Sequence, residues 1–158
     1  MSIIAIDPGT SNTGLVHMDD KRIIDAHTLR FHHVIRADQD MLRERAAEIS
    51  LLVRSWIAER PHEAIVIEGF MGYPGKGGGY VFHTPYLIGY LHADLAGENV
   101  VIQTSRQVLN PRTKGNVAHI RDAMECGGTP YPGSKLCTND HLRAAACHGI
   151  YYYRSRRA

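Results

Sequence analysis

Two short runs of this sequence, Ile3-Ile4-Ala5-Ile6 and Ala64-Ile65-Val66-Ile67, are apolar without interruption, and each passes directly into a carboxylate, Asp7 and Glu68. A run of this kind reads as a strand covered on both faces, unlike the alternating pattern of a sheet with one wet side. A carboxylate at the end of such a strand is costly to bury unless a cation or hydrogen-bond donors meet it. Between the two runs Leu42, Ala46, Ile49, Val53, Trp56 and Ile57 recur at helical spacing, from a candidate N-cap at Asp38 until Arg60-Pro61 stops them. A helix joining two buried strands implies a crossover, so the two strands are predicted to lie parallel near the middle of a sheet.

The remaining elements extend that sheet. Gly14 to Met18 and Arg22 to Leu29 are β-rich runs joined by the turn-like Asp19-Asp20-Lys21, so the first three strands read as a meander. Thr84-Pro85 suits the cap and first residue of a helix running to Ala96, with Gly97 as its stop, and Val100 to Gln103 reads as a further strand. Asn116 is a candidate cap for a short helix to about Cys126, and Thr138 or Asn139 for a last helix through about Tyr153. That last helix is small or apolar almost all round, with Leu142, Ala144, Ala145, Ala146 and Gly149, which predicts close packing on the sheet. The pattern specifies an α/β fold with a five-stranded mixed sheet flanked by helices, the first three strands antiparallel and the rest parallel. With 158 residues and no internal repeat or linker, one domain over 1–158 with a basic tail from about 154 is expected.

No stretch of 18 or more apolar residues occurs and the start lacks a secretory leader pattern, so a cytoplasmic location is expected. Cys126, Cys137 and Cys147 are odd in number and lack C-x-x-C spacing, which argues against a disulfide framework. Together with His141 they match no standard zinc pattern and read as reduced core cysteines; the remaining histidines, including His32, His33 and His83, show no ligand spacing either. The formal charge of +2 is unevenly placed: residues 105–158 hold nine Lys and Arg against three Asp and Glu, the rest nine against thirteen. A concentration of basic residues near Arg106, Arg112, Lys114 and Arg121 and in Arg154, Arg156 and Arg157 suits either a solvated surface or a phosphate backbone.

Asp7 and Glu68 end the two most buried strands, and Asp140 sits in the first turn of the last helix. Singly each has an ordinary reading, as a turn residue, a strand-end charge and a helix cap. Jointly they form an acidic cluster if the strands are neighbours, and such a cluster repels itself at neutral pH unless a divalent cation such as Mg2+ or Mn2+ sits in it. Two such ions about 3.5–4 Å apart can drive phosphodiester hydrolysis.

The segments IIAIDPGTSNTG, AIVIEGF and DHLRAAACH resemble, in order and spacing, the RuvC-like Holliday junction resolvases of the RNase H-like fold, including bacteriophage versions, from Ile3 to about His148. The resemblance implies a homodimeric, Mg2+-dependent endonuclease, with Mn2+ as an alternative and two ions per site, that resolves branched DNA by paired nicks leaving 5'-phosphate and 3'-hydroxyl ends. It assigns Asp7, Glu68 and Asp140 to catalysis and metal binding. Family members add a fourth ligand through a D-x-x-D pair at the last helix; here the partner of Asp140 in that spacing is Cys137 or Arg143, neither an ordinary Mg2+ ligand, and His141 is the candidate substitute. An aromatic just beyond the second acid is implied to disturb base stacking at the branch point, which singles out Phe70 and Tyr73 around Met71. Lys76, Arg106, Arg112, Lys114 and Arg143 are the expected DNA contacts.

Three rival readings follow from the same residues. IDPGTSNTG also looks like the first phosphate loop of the actin and sugar-kinase superfamily, which needs two related domains, whereas 158 residues suit one. A catalytically silent branched-DNA-binding module and an RNase H-like nuclease acting on hybrids or flaps are the other two.

Overall fold

The structure is a computed structural model that describes residues 1–32, 39–70 and 82–157. Five strands, β1 (Ser2–Asp7), β2 (Asn12–Asp19), β3 (Ile23–Arg30), β4 (Ala64–Gly69) and β5 (Val100–Thr104), form one sheet in the order β3-β2-β1-β4-β5. The first three pair antiparallel, while β1–β4 and β4–β5 pair parallel, as the two apolar runs require. Among the described residues the helices are α1 (Gln39–Ala58), α2 (His83–Asp94), α3 (Ser105–Leu109), α4 (Ala118–Glu125) and α5 (Asp140–Arg157), with a 3-10 turn at Ser134–Leu136. Asp38, the expected cap of α1, lies outside the described residues.

Strand periodicity divides the core in two. Ile4, Ile6, Leu15, Ile65 and Ile67 face α1 and α2, meeting Ala46, Ile49, Val53, Leu87 and Leu91. Their neighbours Ile3, Ala5, Val16, Ala64 and Val66 face α5 and α4, meeting Leu142, Ala145, Ala146, Ile150 and Ile120. Successive side chains alternate between the faces. Asp7 follows the parity of Ile3 and Ala5, and Glu68 that of Ala64 and Val66, so both carboxylates project toward α5.

Several helix ends differ from the sequence reading for local reasons. α2 begins at His83 after Phe82, with no side-chain cap, rather than at Thr84. Pro85 then sits within the first turn, where its missing N–H has no intrahelical partner to lose. Asn116 does not cap α4, which starts after Val117; its amide instead donates to the carbonyls of Pro111 and Thr113. Asn139 does cap α5, its Oδ1 accepting from Leu142 N at 3.1 Å. α3 was not visible in the sequence pattern because it is only five residues long, and it is held by a reciprocal capping box between Thr104 and Gln107.

All three cysteines are free: Cys126 is exposed, while Cys137 and Cys147 are buried in the α5-side core. Burial pushes the Cys137 thiol up to about 11 and that of Cys147 up to about 12, so neither is a ready thiolate. Native protein is expected to react with Ellman's reagent at one thiol, Cys126, and to expose the other two only on unfolding; three fast thiols would contradict the packing of α5. No described helix is long and apolar enough to cross a membrane.

Candidate active site

The opening motif IDPGTSNTG is a strand, a tight turn and a return strand in which Asp7 pairs with Gly14 across the ladder. Thr13 closes the turn by donating its hydroxyl to the Gly9 carbonyl at 2.8 Å. A Cβ on Gly9 would lie 2.4 Å from the Asn12 carbonyl oxygen, and one on Gly14 would lie 2.5 Å from the backbone oxygen of His141. Gly14 therefore lets the first turn of α5 settle directly on the sheet beside Asp7. The parallel register pairs Ile6 with Ile67, so one residue further the two strands deliver Asp7 and Glu68 side by side at their C-terminal ends.

Helix α5 answers these acids with two imidazoles. His141 Nδ1 lies 2.7 Å from Asp7 Oδ2, and His148 Nε2, two turns on, lies 3.5 Å from Glu68 Oε2. The Ser105 hydroxyl, at the start of α3, donates to Glu68 Oε1. Burial pushes the Asp7 carboxyl above its ordinary range and the neighbouring Glu68 adds to this, although the His141 hydrogen bond pulls against both. That same bond, more than burial, sets His141, whose ring is held above the usual imidazole range. Burial alone would raise Glu68 too, but His148 and Ser105, with Arg121 further off, hold it below the usual range. Two adjacent carboxylates are thus set apart in acidity by their surroundings, a pattern typical of sites that handle protons or cations.

A cleft of about 240 Å3 opens over the acids, lined by Asp7, Pro8, Glu68, Gly69, Phe70, Thr84 and Ser105. Phe70 is exposed at its edge. The predicted meeting of three carboxylates is not what the structure contains. Asp140 has a side chain 84 % exposed and an ion pair with Arg143 at 2.6 Å, so it stands outside the cleft. The two spacings predicted for a fourth ligand also give way: Cys137 is buried in the core, and Arg143 is engaged by Asp140. His141, expected only as a substitute, is the α5 residue that reaches Asp7. Among the described residues no group of three or more His, Cys, Asp or Glu side chains is drawn together as a ready metal cage. The donors at hand, two carboxylates and the imidazole of His141, nevertheless suit a hard divalent cation chemically, with His141 exchanging Asp7 for the ion.

Arg106, in α3, and Arg112 and Lys114, on the segment that leads from α3 to α4, are exposed. Tyr73 and Lys76 lie outside the described residues. Part of the basic tail has structural work: Arg156 stacks on the Tyr152 ring at 4.2 Å and Arg157 pairs with Asp20. In the run Tyr151-Tyr152-Tyr153 before that tail, Tyr152 is buried and Tyr153 donates its hydroxyl to the carbonyl of Met1 at 3.0 Å, so the pair seals the helix end. His148, Ser105 and Arg121 were missed as neighbours of the acids. The seven-residue interval from His141 to His148 places both on one side of a helix, a signal that becomes legible only once α5 is known to face Asp7 and Glu68.

An open mixed sheet of this order, with a meander, a helical crossover and paired acids at the ends of its parallel strands, is an RNase H-like fold. Solved Holliday junction resolvases share this arrangement. Thermus thermophilus RuvC, solved in complex with Holliday junction substrate, superposes with a TM-score of 0.70 at 20 % identity, covering 100 % of this chain and 96 % of that one. The yeast mitochondrial Holliday junction resolvase gives 0.63 at 10 % identity over 98 % of this chain and 78 % of its own. Fowlpox virus resolvase, in complex with Holliday junction DNA, gives 0.53 at 12 % identity over 97 % and 99 %. No protein-family model and no curated protein matches the sequence.

Proposed function

We propose that the protein is a divalent-metal-dependent endonuclease that resolves four-way DNA junctions by paired nicks, leaving 5'-phosphate and 3'-hydroxyl ends. The observation that carries this reading is the pair Asp7 and Glu68, side by side beneath an open cleft, with His141 of α5 on Asp7. Asp7, Glu68 and His141 would hold the cation, Mg2+ or Mn2+; when bound, it supplies charge stabilisation at the phosphate and makes a water acidic enough to attack near neutral pH. Ser105 and His148 keep the Glu68 carboxylate ionised and oriented, and His141 would turn its Nδ1 from Asp7 to the cation. Phe70, at the cleft edge, is placed to lie against an unstacked base. Two symmetric nicks need two such sites, so the acting species is a homodimer.

The deciding assay offers one preparation a four-way junction, a flap, an RNA/DNA hybrid and a single strand, with Mg2+ or Mn2+. Paired nicks confined to the junction are expected. Preferential cutting of hybrid or flap would replace the substrate, and junction binding with no cutting in either metal would leave a binding module.

Arg112 and Lys114 stand for the DNA-tracking surface. Replacing both by Ala should weaken binding to all junction sequences alike and lower the salt slope of log K by up to roughly two units, since each neutralised phosphate contributes about 0.9. An unchanged slope in a filter-binding or anisotropy titration would return these residues to an ordinary solvated loop.

A further inference from the structure

Helix α5 carries His141, Ala144 and His148 one turn apart along the edge that faces the two acids. The outer two are imidazoles in contact with Asp7 and Glu68; the middle one ends in a methyl group. Next to it a cavity of about 10 Å3, room for one water at most, is lined by Ala144, Glu68, Ser105, Arg121, Cys147 and His148, with Val108 and Leu109 closing it. Arg121 brings a permanent positive charge that helps keep Glu68 ionised. His148 is 2 % exposed, and its Nδ1 has no partner while Nε2 faces Glu68.

Two divalent cations bring four positive charges and are ordinarily bridged by several carboxylates. This centre offers Asp7 and Glu68, with Asp140 turned to solvent on Arg143. The α5 position between the two imidazoles is Ala144, and the space beside it is lined by Arg121, whose Nε also pairs with Glu125 Oε1 at 2.7 Å. The geometry points to a centre built for one divalent cation, held by Asp7, Glu68 and His141, in which His148 positions Glu68 and Arg121 occupies with fixed charge the side from which a second ion would be bound. This rests on the nuclease reading and sets the count at one ion per site, where the family resemblance implied two.

The test counts Mn2+ by electron paramagnetic resonance in a titration of the intact protein without DNA. Native protein should take up one Mn2+ per chain, Ala144→Asn also one, and Ala144→Asp two, with the spin-coupled spectrum of paired ions. Two ions in the native protein would overturn the inference and leave the nuclease reading standing; none would overturn both. A folded Ala144→Asp that still binds one would also overturn it. Should that variant lack a cooperative melt, two others decide. Arg121→Gln should bind the single ion several-fold more tightly, having lost a repelling charge, and His148→Phe several-fold more weakly, with the count still one. An unchanged affinity in both would overturn the assigned roles.

Discussion

Asp7→Asn and Glu68→Gln should each lower junction cleavage at saturating enzyme by roughly a thousandfold, because losing a ligand to the cation removes several kcal/mol of transition-state stabilisation. Junction affinity should stay within about threefold, since it comes mainly from basic residues. Asp140→Asn should change cleavage by no more than about threefold, for its carboxylate is an exposed partner of Arg143. The stability of Asp7→Asn provides an independent check. Burial raises the Asp7 pKa in the folded state, so this group favours folding while protonated, at low pH, and that contribution is lost as pH rises through its unfolded and then its folded value. At neutral pH the ionised Asp7 therefore costs stability, and Asp7→Asn should melt no lower than the native protein while losing its activity. Full cleavage by either variant would remove that acid from the site, and a large loss in Asp140→Asn would bring Asp140 back into it.

Gly14→Ala should be a strongly damaging methyl addition in the opening motif. Its Cβ would stand 2.5 Å from the His141 carbonyl oxygen and 3.0 Å from the Leu142 nitrogen, both backbone atoms that cannot swing aside. Either β2 or the start of α5 has to move, at a cost of about 2–3 kcal/mol by analogy with overpacked cores. The same movement would pull His141 from Asp7, so lower stability in urea and reduced cleavage should appear together. Gly89→Ala is the control: its Cβ would meet nothing within 4 Å, and it should be neutral or slightly stabilising. Native-like stability in Gly14→Ala would mean that α5 does not sit this close to the sheet.

The sheet was legible because its two central strands are covered on both faces and so carry no polar interruption. Their uninterrupted runs gave the parallel pair and, through their last residues, Asp7 and Glu68. Helix α5 was legible as a closely packed element from its small residues, but which of its residues face the acids was not. Asp140 and His141 are adjacent, and a rotation of about 100° about the helix axis decides which of them enters the site. That rotation is fixed by tertiary contacts, the burial of Leu142, Ala145 and Ala146 against the sheet and the approach to Gly14, neither of which local pattern contains. The same limit hid Ser105, whose role depends on the register that pairs Glu68 with Gln103.

Asp7 and His141 are 134 residues apart in sequence and 2.7 Å apart in space. During synthesis the carboxylates of β1 and β4 leave the ribosome long before either imidazole of α5 exists, and the α5 side of the sheet waits uncovered. A nascent or truncated chain ending before residue 140 would thus own the acidic pair without the helix that completes it. On the proposed nuclease reading, such an unfinished copy lacks His141 and with it the complete cation site.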